Sequence, residues 1–206
     1  MIHAIHHPLI KDLVNRLRDI QTDSATFRHL LQEVARLLLY EALKEWQLQP
    51  NRIQTWIGKK EFGFIEQEKI VFIPILRAGL PMLEGVLELL PKAKSGFLAM
   101  KRNEETLQPT IFYKRFPQLQ GNTAVLLDPM LATGGSLSDA IEVVKADKPE
   151  KILSLNVIAA PEGVKAVSRK HPDVEVFIAQ IDRKLNDKGF IIPGLGDAGD
   201  RAFHTE

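Results

Sequence analysis

Cysteine is absent from the 206 residues of this chain. Its absence excludes disulfide bonds, zinc sites with cysteine ligands and catalysis by a cysteine nucleophile. Long apolar runs are also missing: the strongest, at residues 70–76, is interrupted by Pro74 and is far shorter than a bilayer requires. The first seven residues lack the apolar core of a signal peptide. These absences predict a soluble, cytoplasmic protein without a membrane partner.

The chain has no marked excess of either charge, since 27 Lys and Arg stand against 26 Asp and Glu and the formal net charge is +1. Proteins that bind nucleic acid usually carry a basic excess, so we expect no nucleic-acid partner. Hydrophobic residues make up 45% of the chain, enough for a buried core, and the length suits one domain over residues 1–206. The six histidines are scattered or, at His6 and His7, adjacent, so no metal site within the protein is predicted.

Apolar residues at helical spacing predict two N-terminal helices, one opened by Pro8 and one starting after the capping residues 22–24 and reaching Trp46. From residue 52 the pattern changes to alternation, which predicts a β-hairpin over residues 52–65 with Gly58 and Lys59 in its middle. The hairpin lies outside the alternation of strands and helices that the rest of the chain shows. Both an arm that reaches a partner subunit and an ordinary surface hairpin fit this pattern.

Strands and helices alternate in the rest of the chain. The predicted strands are residues 69–75, 96–101, 110–115, 123–127, 151–159 and 174–179, and the predicted helices are residues 80–90, 135–146 and 161–170. Apolar strands separated by helices are typical of an α/β fold with a mostly parallel sheet flanked by helices on both faces. Ligands bind such sheets at the carboxyl ends of strands, near a switch in strand order.

The segment of residues 128–136, called here the 128–136 loop, follows a short apolar strand and leads into a helix. Its Gly134 and Gly135 allow a close approach of the backbone, and the hydroxyls of Thr133 and Ser136 can donate to phosphate oxygens. The first amides of the following helix lack internal partners and lie at the positive end of the helix dipole. The pattern therefore predicts a phosphate site, although a plain glycine turn capped by Asp128 is an alternative interpretation.

The same loop carries a resemblance to a known family. Its apolar strand, acid and Ala-Thr-Gly-Gly-Ser sequence resemble the diphosphoribosyl-binding motif of type I phosphoribosyltransferases, and Pro129 in place of a second acid is similar to the uracil phosphoribosyltransferase family. Further stretches match this family in the same order: residues 74–80, 102–107 and 192–200, with shorter matches at 7–9 and 159–163. The resemblance extends from about residue 7 to the C-terminus.

The resemblance implies an enzyme that transfers ribose 5-phosphate from phosphoribosyl diphosphate to uracil, with Mg²⁺ carried by the donor. It also implies a base-binding C-terminal tail at residues 189–206. Together with the hairpin at residues 52–65, read as an arm, it suggests a homodimer or larger homo-oligomer. A UMP-sensing, RNA-binding regulator on the same fold is the alternative, but such regulators tend to lack the Pro-Gly-Leu-Gly-Asp-Ala-Gly tail. Some family members respond to GTP; residues 11–13 depart from the family's more basic stretch, which leaves a GTP effector open.

The resemblance further implies the roles of individual residues. Asp128 would stabilise positive charge on the ribose and Asp197 would contact the donor through Mg²⁺ and water, so these two carboxylates are the expected catalytic residues. The expected donor-binding residues are Arg77, Arg102, Asp128, Pro129, Met130, Leu131, Ala132, Thr133, Gly134, Gly135, Ser136 and Asp197. The expected uracil-binding residues are Ile191, Gly196, Asp197 and Ala198. The polar loop at 103–109 would close over the site. Taken alone, both arginines also fit ordinary surface positions.

Overall fold

Parallel strands form the centre of the molecule. The computed structural model describes residues 1–102 and 109–205, with the backbone alone described at 101, 102 and 109. The strands are β1 (Ile2–Ala4), β2 (Gln49–Thr55), β3 (Gly58–Phe64), β4 (Ile70–Leu76), β5 (Lys94–Ser95), β6 (Phe97–Arg102), β7 (Pro109–Arg115), β8 (Thr123–Leu127), β9 (Met130–Leu131), β10 (Lys151–Ala159), β11 (Glu175–Ile181), β12 (Lys184–Leu185) and β13 (Ile191–Ile192). The helices are α1 (Pro8–Arg18), α2 (Ser24–Ala42), α3 (Leu80–Leu89), α4 (Gly135–Lys145), α5 (Pro161–Lys170) and α6 (Ala198–Phe203). Within this described part, no helix has the length and apolar character that a membrane crossing requires.

The main sheet has the strand order β1-β11-β10-β8-β4-β6-β7, with β5 beside β4 and β9 beside β10. The β6–β7 pair is antiparallel and the other pairs are parallel. From β4 the chain passes through α3 to β6 on one side, whereas from β8 it passes through α4 to β10 on the other side. The strand order therefore switches between β4 and β8, where ligands of open α/β sheets bind. This architecture confirms the predicted α/β class.

Helices cover both faces of the sheet because successive side chains of a buried strand point to opposite faces. Phe72 of β4 packs in a cluster with α1, α2, α3 and α6, which includes Met82. Its neighbour Ile73 packs in a second cluster with α4 and α5, which includes Ile141 and Val167. The helices that follow β4 and β8 thus lie on opposite faces, an arrangement that in open α/β sheets leaves a crevice at the carboxyl ends of the two strands.

Helix α2 begins at the predicted capping residues. The side chain of Asp23 accepts a hydrogen bond from the backbone N–H of Thr26 at 2.7 Å, and this bond lowers the pKa of the Asp23 carboxyl. The helix ends at Ala42, so the prediction that its apolar face continues to Trp46 is wrong. Trp46 still packs against the first core cluster, which explains why its spacing resembled the helix pattern.

The predicted β-hairpin is present, but its bounds differ. Strands β2 and β3 pair from Gln49 to Phe64 and form a sheet of their own, with Trp56 and Ile57 at the turn. The predicted range, residues 52–65, therefore started three residues too late. It placed Gly58 in the middle of the hairpin, whereas Gly58 is the first residue of β3. Trp56 is 96% exposed, so the hairpin presents apolar surface at its tip.

Several short elements were not predicted, because two or three residues carry no detectable periodicity. The most important lie in the C-terminal tail, residues 189–206. There, β13 pairs with β12, and the tail continues into helix α6, capped by Asp197. The tail was predicted only as a base-binding loop, and the structure corrects this. Although the tail is rich in turn-forming residues, residues 198–203 form a short helix because Asp197 caps its first amides.

His171 gives the fold an expected sensitivity to acid. Both its ring nitrogens are buried without a hydrogen-bond partner among the described residues, and burial, then the nearby Lys145 ammonium, lower its pKa below 6.5. Folding therefore opposes protonation: the stability is complete above pH 6.5 and falls as the pH drops below that value. We expect the free energy of unfolding, measured by urea titration between pH 7.5 and 5, to decrease less for His171→Phe than for the natural protein.

The matched control is His29→Phe, since His29 lies on the exposed part of α2. Its unfolding free energy should follow the same pH dependence as the natural protein. Equal pH dependence in His171→Phe and the natural protein would show that another group controls the acid response.

Candidate active site

Arg77 and Asp128 follow the ends of the two central strands. Pairing of Pro74 in β4 with Leu127 in β8 sets these ends side by side at the switch in strand order. Gly79 permits this approach, because a Cβ at that position would lie 2.3 Å from the carbonyl oxygen of Leu127. The fold therefore brings the predicted Arg77 and Asp128 to one crevice.

Asp128 is held by its backbone and by one hydrogen bond to its carboxylate. Its Oδ1 accepts from the Met130 N–H at 3.2 Å, and its carbonyl oxygen accepts from Nδ2 of buried Asn156 at 2.7 Å. Ser154 donates to Asn156 Oδ1 at 2.9 Å and fixes that amide in turn. Burial raises the pKa of Asp128 to about 6, against the lowering effect of the Met130 amide. Asn156 was not among the predicted site residues, although a polar residue inside an apolar strand was a usable signal.

The first half of the 128–136 loop is attached to the sheet. Met130 and Leu131 form β9, which pairs with Ile158 and Ala159 at the end of β10. The carbonyl oxygen of Pro129 accepts hydrogen bonds from two amides of the same strand. The residues between Asp128 and Ala132 therefore have a defined path and are not a free loop.

The second half of the loop turns into α4. Gly134 has a φ of +82°, a left-handed conformation that favours glycine. Gly163 of α5 packs against the loop so closely that a Cβ on Gly163 would lie 2.3 Å from the Ala132 carbonyl oxygen. The N-cap residue of helix α4, Gly134, has no side chain to cap it, and the Gly135 N–H donates to Thr133 Oγ1 at 3.3 Å. Thr133 and Ser136 are exposed beside these amides. The arrangement suits a phosphate dianion, and phosphate binding at this turn stays a prediction.

A cavity of about 320 Å³ lies between the 128–136 loop and the C-terminal tail. Its lining combines Met130 and Ala132 of the loop with Ile158 of β10 and tail residues 189–196. Of the predicted uracil-binding residues, Ile191 and Gly196 line it, whereas Asp197 and Ala198 follow directly in the chain. The fold thus places the glycine-rich tail opposite the loop, across a space that suits a small heterocycle.

Asp197 and Ala198 occupy the start of α6. The carboxylate of Asp197 is exposed and caps the helix by accepting the Asp200 N–H at 3.0 Å, while Ala198 is fully buried. A Cβ on Gly199 would lie 3.2 Å from Asp197 Oδ1 and 3.7 Å from a guanidinium nitrogen of Arg77. The Asp197 carboxylate and the Arg77 guanidinium are therefore neighbours across Gly199.

A buried ion pair holds the glycine turn of the tail. Arg18 of α1 donates to both carboxylate oxygens of Asp182, at 2.6 and 2.8 Å, and to the Gly194 carbonyl oxygen at 2.6 Å. The Gly194 amide donates to the same Asp182 at 2.9 Å. Sequence analysis missed this pair. The position of Asp182 three residues after a predicted strand was the available signal, whereas nothing distinguished Arg18 from other helix arginines.

Two predictions concern residues at the limit of the described structure. The backbone of Arg102 ends β6, but its side chain and residues 103–108 of the predicted closing loop lie outside the described part of the chain. The diphosphate contact of Arg102 and the closure of this loop stay predictions.

The arrangement of strands and helices is the fold that phosphoribosyltransferases have. A purine phosphoribosyltransferase from Pyrococcus horikoshii has the same fold, with a TM-score of 0.51 at 20% sequence identity, covering 76% of this chain and 89% of that one. At this identity the likeness concerns the fold alone.

Closer relatives specify the family. The family described as uracil phosphoribosyltransferase matches residues 4–205. A curated uracil phosphoribosyltransferase from Aquifex aeolicus is 51% identical, and the match covers 98% of each chain. One from Malacoplasma penetrans is 48% identical, and the match covers 100% of each chain. A solved structure of an Aquifex aeolicus protein has a TM-score of 0.96 at 50% identity, covering 100% of this chain and 99% of that one. The chain therefore belongs to the uracil phosphoribosyltransferase family, which confirms the resemblance and favours the transferase over the RNA-binding regulator.

Proposed function

We propose that the protein transfers ribose 5-phosphate from phosphoribosyl diphosphate to uracil, giving UMP and diphosphate, as a cytoplasmic salvage enzyme. The cavity between the 128–136 loop and the C-terminal tail carries the proposal. A base against the tail would face a sugar phosphate at the first turn of α4. We also propose that residues 1–206 act as one domain, because α1, α2 and the tail share one core cluster.

The donor would extend along the crevice. Its 5-phosphate accepts from the first amides of α4 and the hydroxyls of Thr133 and Ser136, and its diphosphate pairs with Arg77 and Arg102. Asp128 accepts from the ribose hydroxyls. The remaining donor contacts come from the backbone of Pro129, Met130, Leu131, Ala132, Gly134 and Gly135.

The reaction needs alignment more than a covalent nucleophile. N1 of uracil attacks C1 of the ribose, the C1–O bond breaks with its electron pair leaving on the diphosphate, and the N1 proton is released. Positive charge develops on the ribose during this exchange. The Asp128 carboxylate stabilises that charge, and positioning of the two reactants removes much of the entropic barrier.

Mg²⁺ would arrive with the donor. Among the described residues no three His, Asp or Glu side chains are grouped to hold a metal ion. The exposed carboxylate of Asp197 instead suits the usual pattern for Mg²⁺, in which one or two carboxylates supplement substrate phosphate oxygens and water. When bound, the ion would neutralise negative charge on the leaving diphosphate.

Base selection would rest on the backbone of the tail. Groups at Ile191, Gly196 and Ala198, with Asp197 beside them, would pair with the alternating oxygens and N–H of uracil. Cytosine presents a donor where uracil presents an acceptor, so buried groups would be left unpaired and binding would weaken strongly.

The direct test supplies the purified protein with phosphoribosyl diphosphate, Mg²⁺ and one base at a time. We expect chromatography to show UMP with uracil and no nucleotide with cytosine, hypoxanthine or guanine. A purine nucleotide as the main product, or no product with any base, would contradict the proposal. The same assay with and without GTP determines whether this chain responds to that effector.

We further propose that the β2–β3 hairpin is an arm to a second copy of the chain. Its exposed apolar side chains are Ile53, Trp56, Ile57, Phe62 and Phe64. An isolated two-stranded hairpin is marginally stable in water, so a partner surface would stabilise it. We expect sedimentation to show a dimer or larger species that dissociates in the double variant Trp56→Ser, Ile57→Ser. Tyr40→Ser, at an exposed position of α2, is the control and should not dissociate; unchanged sedimentation of the hairpin variant would reject the arm.

A further inference from the structure

We propose that Asp200 is a positioning residue that acts through Arg77 and thereby links the base-binding tail to the donor site. The inference rests on the proposed function, since it assigns the diphosphate as the ligand of Arg77. It concerns a residue of the tail that lies outside both the expected donor-binding set and the expected uracil-binding set.

The contact between the tail and Arg77 is made by side chains. One terminal nitrogen of the Arg77 guanidinium donates to Asp200 Oδ1 at 2.9 Å, and the other donates to Thr205 Oγ1 at 3.1 Å. The Thr205 hydroxyl in turn donates to Asp200 Oδ1. Arg77 is 57% exposed and would otherwise sample many rotamers, so these bonds select one orientation of its side chain.

Asp200 can hold Arg77 because its own helix is firmly anchored. The guanidinium of Arg201 donates to the carbonyl oxygens of Leu17, Asp19 and Leu195, and it lies over the ring of Phe27 at 4.4 Å. Arg28 donates to the Ala202 carbonyl oxygen at 2.7 Å. These bonds attach α6 to α1 and α2, whereas Arg77 belongs to the end of β4. Asp200 is thus a fixed anchor and Arg77 the group that is positioned.

The pairing leaves Arg77 able to bind an anion. A guanidinium has five N–H donors, and the contacts to Asp200 and Thr205 engage two of them, so three remain for diphosphate oxygens. The Thr205 hydroxyl and then Arg77 lower the pKa of the Asp200 carboxyl, which keeps it charged and the pair intact at neutral pH. Pre-orientation of this kind increases affinity, because less rotamer entropy is lost on binding.

The same helix begins at the base-binding turn. Asp197 caps α6 by accepting the Asp200 N–H, and residues 191–196 before it line the proposed uracil cavity. The first turn of α6 therefore connects the cavity-lining residues 191–196 to the Asp200 carboxylate, which orients Arg77. A tail displaced from the cavity would also release Arg77, so base and donor sites form together.

The test compares donor binding in the natural protein and in Asp200→Asn, which keeps the shape of the side chain and removes its charge. Because a charge-assisted hydrogen bond is lost, we expect the KM for phosphoribosyl diphosphate and its calorimetric Kd with Mg²⁺ to rise about tenfold. We expect kcat to change by less than about twofold, since no group near the ribose is altered. Thr205→Val, which removes one bond, should raise the donor KM in the same direction by a smaller factor.

Two comparisons separate positioning from a general effect on the fold. Asp200→Asn in an Arg77→Ala background should change the donor KM by less than about twofold, because the group it acts through is gone. Asp173→Asn, which removes another ion-paired aspartate in the segment between α5 and β11, should leave the donor KM unchanged.

An unchanged donor KM in both Asp200→Asn and Thr205→Val would overturn the inference. A lower donor KM would overturn it too, by showing that Asp200 competes with the diphosphate. UMP formation by the natural protein in the same assay tests the proposed function separately.

Discussion

Asp128→Asn is expected to lower kcat for UMP formation by about 10²–10³-fold while leaving the fold intact, a loss typical of removing one preorganised electrostatic group. The amide keeps the size of the side chain and can still accept the Met130 N–H. It lacks the negative charge that would stabilise the ribose as the bond to diphosphate breaks. Single-turnover measurements with saturating donor and uracil would determine the loss, and circular dichroism would report the fold.

The pH profile provides the internal control for this prediction. Burial raises the pKa of Asp128 to about 6, and the proposed mechanism uses its ionised carboxylate. The value of kcat/KM should therefore be constant well above pH 6 and should fall about tenfold per pH unit below it. Asp128→Asn should lose this acidic limb, whereas Asp173→Asn should retain both the limb and full turnover. Normal turnover in Asp128→Asn would remove Asp128 from the mechanism.

Gly194→Ala is expected to abolish most uracil binding. A Cβ at this position would lie 2.1 Å from the carbonyl oxygen of Ile191, and the φ of +67° is unfavourable for alanine. The turn would have to open, which displaces Ile191 from the cavity and breaks the bonds of Gly194 to Arg18 and Asp182. We expect the uracil KM to rise by more than about tenfold, since strain and lost hydrogen bonds each cost of the order of 1–3 kcal/mol. The donor KM should change less.

Gly121→Ala is a matched control for the backbone strain. Gly121 has a φ of +70°, and a Cβ there would meet no described atom within 4 Å. Both variants place alanine in the same left-handed conformation, but only Gly194→Ala also clashes with a neighbouring carbonyl. We expect Gly121→Ala to lower the melting temperature slightly and to keep the uracil KM of the natural protein. Similar uracil KM values in the two variants would show that the turn at Gly194 does not shape the base site.

The long elements could be predicted because their residues are neighbours in the chain. Three ranges have the predicted bounds: Thr123–Leu127, Lys151–Ala159 and Pro161–Lys170. Each combines sustained apolar periodicity with a clear boundary, such as the proline that opens α5. Strand β9 and helix α6 were missed, since both depend on attachment to other elements: β9 on the end of β10, and α6 on anchors in α1 and α2.

The candidate site also contains parts that neighbouring residues predicted and parts that depend on contacts between distant residues. The 128–136 loop was recognised because a strand, an acid, two glycines and two hydroxyls stand next to each other in the sequence. The Arg18–Asp182 pair joins residues 164 positions apart, and no local pattern marks either residue as the other's partner. Such a contact exists only after the sheet has placed α1 against the end of β11.

The sequence by itself therefore determined the α/β class, the family and the segment suited to phosphate, all of which depend on residue types at short spacing. The tertiary structure decided that the strand ends before Arg77 and Asp128 lie side by side, that Arg77 is held by Asp200, and that the tail lies opposite the 128–136 loop. The physical reason is the strand order: parallel pairing of β4, β8 and β10 brings the carboxyl ends of distant segments to one edge. Which side chains meet at that edge depends on packing between helices and strands that are far apart in the chain.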